Sequence, residues 1–239
     1  MKRIFRGLLS YIHSQSRWLK SYVRIKNGAT VLIRIGKCGS ASVKAGIKNA
    51  KRNSVAHIVH VSKPIYRKDL RYIIVARGPI SRLISAFRWR YKLVVSERAQ
   101  IDKFEGEYDV LVKYGCLNNL AEALYLKDGT PNKTAHQEIR RIHHMREDIS
   151  FYLGDLLNKC RPDQIVAVLM QETLDDDVLR VFGYKNELRE HNNEAIGGDR
   201  ELSAIGLANL KRFFSEDYEA LTKLYCWGKI KREVFMDAI

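Results

Sequence analysis

The hexapeptide Arg71-Tyr72-Ile73-Ile74-Val75-Ala76 restricts the architecture more than any other stretch of the chain. It is an almost unbroken apolar run. A strand without polar alternation must be covered on both faces, which is the condition of a parallel sheet with helices on either side. Related runs are Val31-Leu32-Ile33 closed by Ile35, Val55–Val61, and Gln164–Met170. Helical signals lie between them. Arg77-Gly78-Pro79 stops one strand, and Pro79 opens a helix because the N–H it lacks has no partner at a helix start anyway. That helix sets Ile80, Leu83, Ile84 and Phe87 at core spacing and Ser81, Ser85, Arg88 and Lys92 on its other face. Thr173 stands at a cap position before Asp175, Asp176 and Asp177, an acidic triplet that reads as compensation of the helix dipole rather than as a metal site. Helices from Ser203 to Phe214 and from Glu216 to Cys226 follow. Alternating strands and helices predict an α/β fold: a single domain over residues 1–239, with a central, mainly parallel sheet flanked by helices. Residues 1–26 read as a basic helical extension. Residues 96–140 read as a polar, irregular, substrate-facing insertion, with one helix around Leu117–Leu126 and a turn at Asp128–Pro131. His143-His144 opens a mixed segment that runs to Cys160, and Tyr184–Glu201 reads as a polar loop.

The 239 residues carry a formal charge of +15. Such an excess selects for an anionic partner: nucleic acid, a membrane surface, an acidic polysaccharide or a phosphate-rich cofactor. Cys38, Cys116, Cys160 and Cys226 are scattered without metal-ligand spacing, so no metal site is expected, and they read as reduced thiols of a cytoplasmic protein. No apolar stretch is long enough for a membrane span. The basic, amphipathic N-terminal segment is expected to pack on the protein's own body, with peripheral contact to a membrane as the alternative. Phe87, Trp89 and Tyr91 alternate with Arg88, Arg90 and Lys92, a pattern that suits stacking on bases. The same pattern fits a helix with one buried face; that reading is adopted, and no stable nucleic-acid partner is expected.

Thr30–Val43 joins the first strand to a turn, Lys37-Cys38-Gly39-Ser40-Ala41-Ser42, and then to a helical segment from Val43 to Ala50. Strand, small-residue turn and helix start form a layout in which free backbone N–H groups face an anion. The spacing differs from the Walker pattern. The alternative is a plain Gly/Ser turn with a solvent-facing lysine. Arg77 stands at the carboxyl end of a buried strand, where open α/β sheets bind ligands. Ser85 lies two turns into the next helix, on its polar face. A guanidinium and a hydroxyl converging there would hold a second phosphate; otherwise they are an arginine capping a sheet edge and a serine in helix packing.

Taken together, the two segments carry a resemblance. Arg77-Gly-Pro-Ile-Ser-Arg-Leu-Ile-Ser85-Ala-Phe-Arg88 resembles the 3′-phosphate motif of sulfotransferases that use PAPS (3′-phosphoadenosine 5′-phosphosulfate). Lys37–Ser42 resembles their 5′-phosphosulfate loop, a P-loop-like element, in the same order along the chain. Met170–Leu174, the Asp217-Tyr218-Glu219 helix and His191-Asn192-Asn193 are similar to segments of the carbohydrate sulfotransferases of the Golgi. Gly78 replaces an acidic residue of the family pattern, and Ala41 replaces a Ser or Thr. The resemblance implies sulfuryl transfer from PAPS to a hydroxyl or amine, most simply on a carbohydrate, which the basic charge would suit if it is acidic. Lys37 would stabilise the leaving phosphate; Lys37, Cys38, Gly39, Ser40, Ala41 and Ser42 would hold the 5′-phosphate, and Arg77 and Ser85 the 3′-phosphate, with no metal. The family places its base between the two motifs. His60-Val61-Ser62 resembles the His-Val-Ser of uronyl 2-O-sulfotransferases, so His60 is the expected base. His57, three residues away on the opposite face, is second and His144 third; His136 and His143 are expected at the surface. A P-loop-type nucleotide kinase and a basic nucleic-acid-binding protein are the competing readings.

Overall fold

The computed structural model describes residues 25–39, 43, 44, 47, 55–185 and 201–239. The expected N-terminal helix up to residue 24, the loop residues Ser40, Ala41 and Ser42, most of the segment to Ala50, and His191–Asn193 lie outside the described residues.

Four parallel strands form one sheet: β1 (Thr30–Arg34), β2 (His57–Val59), β3 (Arg71–Ala76) and β4 (Ile165–Met170), in the order β2-β1-β3-β4. Leu32 pairs with Ile58 on one side and with Ile73 on the other; Ile74 pairs with Val168. β3 coincides with the apolar hexapeptide, and every residue after Arg71 in it is buried. β2 is shorter than the apolar run around it, and Val61, just beyond it, adopts a left-handed φ of 55° that no strand accommodates.

Helices flank the sheet. α1 (Pro79–Tyr91) opens at Pro79 and runs on into a π-helical turn at Lys92–Ser96. α2 (Glu107–Tyr114), α3 (Leu117–Ala123) and α4 (Lys133–Ile139) follow. Then come α5 (Ile149–Lys159), α6 (Leu174–Phe182), α7 (Ala204–Phe213), α8 (Ser215–Cys226) and α9 (Arg232–Ala238). No helix among the described residues is long and apolar enough to cross a membrane.

The buried side chains fall into two clusters. One joins the sheet to α5, α6, α8 and α9 through residues such as Leu153, Leu157, Val178, Leu221 and Phe235. The other packs Leu83 and Phe87 of α1 against Leu111, Leu120, Ile139, Ile142 and Leu210. The second cluster corrects the expectation for 96–140. That stretch is not irregular: three short helices there each place apolar residues on one face, too few per helix for the period to stand out in the sequence. The expected turn is present, closed by Asp128 Oδ1, which accepts from the N–H of Thr130 at 2.9 Å. Residues 149–159, read as mixed, form α5, capped by Asp148 through the N–H of Phe151. Thr173 stands at the N-cap of α6 without a capping bond of its own; its hydroxyl donates to Asp177 Oδ2, which also accepts from the N–H of Met170.

Two buried details explain local sequence choices. A Cβ on Gly78 would lie 2.6 Å from the carbonyl oxygen of Ala238, so the end of α9 leaves no room for a side chain at this position. Glu172 occupies that side of the turn instead, accepting from the N–H of Gly78 at 2.8 Å. Asp217 of α8 is 1% exposed, and its Oδ1 accepts from the N–H of Ser150 at 2.7 Å. Its Oδ2 is buried with no hydrogen-bond partner. Burial first, and then the charge of Asp148, push its carboxyl up to about 7. A carboxyl raised on folding contributes full stability below its unfolded range, near pH 4, and loses it as pH rises through about 7. Asp217→Asn keeps the acceptor for Ser150 and removes the titration. Urea denaturation is therefore expected to show wild-type stability falling between about pH 4 and pH 7 by on the order of a few kcal/mol, with a flatter profile for the variant. Parallel profiles would reject this origin of the slope.

Candidate anion-binding site at the carboxyl edge of the sheet

All four strands end at one edge of the sheet. Chain order reverses between β1 and β3, since β2 lies outside β1 while β3 and β4 lie on the other side. Loops diverge at such a point and leave a crevice. β1 delivers residues 35–39 to it, and β3 delivers Arg77.

Lys37 takes a left-handed φ of 68°, which costs a non-glycine residue about 1–2 kcal/mol. Its ammonium lies 4.5 Å from the centroid of the Trp89 ring. Arg77 closes the other side: its Nε donates to Ser81 Oγ at 3.0 Å, and its NH1 approaches the Lys37 carbonyl at 3.5 Å. No carboxylate pairs with Lys37 or Arg77 among the described residues. Burial, and then the charge of Arg77, lower the Lys37 ammonium to about 8. Two neighbouring cations are thus held without compensating charge, an arrangement that a bound anion relieves.

Other expected site residues fall into place around them. Cys38 is fully buried, and burial pushes its thiol up to about 12, so its side chain belongs to the core and only its backbone N–H can face an anion. All four cysteines are free. Gly39 continues the turn with a φ of 70°. Ser85 lies one helical turn beyond Ser81 on the same side of α1. Arg88 instead lines a cavity of about 320 Å³ on the neighbouring face, with Ile80, Ile84, Phe87, Leu117 and Leu202. Phe87 and Arg90, counted in the aromatic–basic pattern, are 4% and 2% exposed and are therefore not a surface for stacked bases.

The residue that sequence reasoning missed is Arg82. It is fully buried on α1, and its guanidinium donates to three backbone carbonyls: Gly36 at 3.0 Å, His144 at 2.6 Å, and Glu147. One side chain thereby ties the β1 loop to the 144–147 turn. Its spacing from Pro79, Ala86 and Arg90 puts it on the buried stripe of α1, a signal present in the sequence but masked by the assumption that arginine faces out.

Comparison of the chain with protein-family models, curated proteins and solved structures returns no match. The chemistry of the crevice therefore rests on its own geometry.

The histidines divide between the rim and the interior. His60 follows β2, is exposed, and shares its Nδ1 with the carbonyl of Arg34 at 3.0 Å. Burial is the main cause that lowers its pKa, and that of His57. His144 is 9% exposed with a left-handed φ of 69°. It packs against the β1 loop so closely that a Cβ on Gly36 would lie 2.6 Å from its Nδ1. Burial, followed by the charges of His143, Arg82 and Lys37, lowers His144 to about 2, so this ring is neutral. Two surface expectations are corrected. His136 is half-buried, edge-on to Tyr125 and Phe213, because α4 turns its ring toward the second cluster. The His143 side chain is 13% exposed, stacked on Phe104 and in tilted contact with His144 at centroid distances of 4.3 and 4.0 Å.

His143, His144 and Glu147 bring potential ligand atoms within 4.8 Å of one another. Their surroundings oppose a dication. Glu147 Oε1 already accepts from Arg146 at 2.8 Å and Oε2 from the N–H of His144 at 2.9 Å, with Arg82 and Lys37 adding positive charge alongside.

Proposed function

We propose that this protein is a PAPS-dependent sulfotransferase that transfers a sulfuryl group to a hydroxyl, most simply on a carbohydrate. The observation that carries the reading is the convergence of Lys37 and Arg77 at the strand-order reversal from two different loops: Arg77 NH1 donates to the Lys37 backbone carbonyl at 3.5 Å, and neither cation pairs with a carboxylate among the described residues. One anion-binding loop suits any phosphate; two such positions suit a ligand with phosphates at both ends of a nucleoside. The residues fit the divided roles. The Lys37 ammonium is a compact charge able to follow a leaving phosphate oxygen. The backbone of 37–39, continued by Ser40, Ala41 and Ser42, supplies N–H donors to the 5′-phosphate as a P-loop-like element. Arg77 and Ser85 take the 3′-phosphate, with Ser81 aligning the guanidinium. Trp89 and Arg77 fix the loop's position, so that donor and acceptor meet in line without a metal.

The test is a thermal-shift series with PAP (the desulfated product), ATP with magnesium, and single-stranded DNA. Stabilisation by PAP alone is the expected result. Stabilisation by ATP-magnesium instead would favour a kinase, and salt-sensitive stabilisation by DNA alone a nucleic-acid-binding protein. Arg77→Ala is expected to weaken PAP binding by about 2–4 kcal/mol, because a charge-assisted contact is lost in a half-buried site. Isothermal titration calorimetry measures it, and unchanged affinity would remove Arg77 from the 3′-phosphate role.

A further inference from the structure

We propose that His143, oriented by Glu147, is the general base that takes the proton from the acceptor hydroxyl; the assignment rests on the sulfuryl-transfer reading above. His143 Nδ1 lies 3.1 Å from Glu147 Oε2. Burial alone would raise the Glu147 carboxyl, but the ion-pair contact with His143 and the hydrogen bonds from Arg146 and the N–H of His144 outweigh it and hold it well below the usual carboxylate range. Nδ1 makes no hydrogen bond of good geometry, but an ionised carboxylate 3.1 Å away favours the proton on Nδ1 and leaves Nε2 as the basic atom, the logic of a histidine–carboxylate pair.

The ring is also positioned. Phe104 stacks on it and the His144 ring lies against it at a tilt, which restricts its rotamers. The adjacent His144 packs on Gly36, and Arg82 joins the carbonyls of Gly36, His144 and Glu147, so the pair is fixed relative to the loop that carries Lys37. His60 has neither feature. It is exposed, and its Nδ1 partner is a backbone carbonyl rather than a carboxylate.

In the step assigned to it, the acceptor O–H bond breaks and the proton passes to His143 Nε2. The oxygen's electron pair forms the new O–S bond. The bond from sulfur to the 5′-phosphate oxygen breaks, and its electron pair stays on that oxygen, beside Lys37. No oxidant or metal enters the balance.

The test combines three measurements on the full chain. In 15N spectra, wild-type His143 is expected to be protonated on Nδ1 and bare on Nε2, with Glu147→Gln abolishing that preference; a wild-type Nε2–H tautomer would overturn the assignment. Release of PAP from PAPS with water as acceptor is expected to fall by about 10²–10⁴-fold in His143→Gln, with calorimetric PAP affinity within twofold of wild type. Imidazole is expected to restore turnover to His143→Gly. Wild-type turnover in His143→Gln, or loss of PAP binding together with turnover, would overturn the base role while leaving the sulfotransferase reading intact. Failure of the wild-type protein to bind PAP would overturn both.

Discussion

Glu107→Leu is expected to destabilise the protein by about 3–5 kcal/mol. Arg90 and Glu107 form a two-bond pair inside the second apolar cluster, with Arg90 Nε to Glu107 Oε1 at 2.9 Å and NH2 to Oε2 at 2.7 Å, the side chains being 2% and 0% exposed. Glu107 Oε1 also accepts from the N–H of His143 at 2.8 Å. Removing the carboxylate strands a guanidinium where water cannot reach it, and also releases the turn that carries His143. Charge burial rather than lost attraction dominates that cost, so Arg90→Met combined with Glu107→Leu is expected to recover most of it. Urea denaturation of both single variants and the double variant measures the balance. A single-variant loss below about 1 kcal/mol, or a double variant as unstable as the sum, would contradict the account.

Lys37→Ala is expected to lower turnover of saturating PAPS by about 10²–10³-fold, the effect of removing one preorganised charge from a leaving oxygen. Lys37→Arg is expected to rescue little, since a planar guanidinium replaces a compact ammonium stacked on Trp89. The same group imposes a pH dependence. Lys37 is lowered to about 8, so the free protein loses that charge as pH rises through about 8. Affinity for an anion should fall on the alkaline side, and Lys37→Ala should remove that fall. Equal turnover in Lys37→Ala, or an alkaline limb that persists in it, would displace Lys37 from the leaving-group position.

The sheet was legible because its signal is local: β3 and β4 are uninterrupted apolar runs, and Pro79 marks the start of α1 without ambiguity. Neither the order of the strands nor the position of the reversal between β1 and β3 was legible, because β1 pairs with both β2 and β3 through contacts distant in the chain. The Lys37 turn and Arg77 were visible, each standing one to three residues past a strand. What the sequence hid is long-range. Arg82 and Arg90 look like solvent residues until the acceptors contributed by Gly36, His144, Glu147 and Glu107 are brought to them. The short helices α2–α4 bury their apolar residues against each other, and no single one has enough turns to announce a face. His143 could not be read as interior without Phe104, which stacks on it from a distant position in the chain. Gly78 looked like a lost acidic residue; only the arrival of α9 reveals it as a steric requirement.

The Arg82 clamp has a consequence for how the crevice comes into being. Its three acceptors lie 46, 62 and 65 residues away along the chain. Large loops must close before any of these bonds can form, which makes them late contacts in terms of chain entropy. A partly folded molecule with the sheet assembled but the 144–147 turn undocked has β1 and β3 in place and no fixed wall opposite them. On the proposed function, anion binding would therefore require the fully closed chain, and ligand occupancy would be coupled to completion of folding rather than to the presence of the sheet.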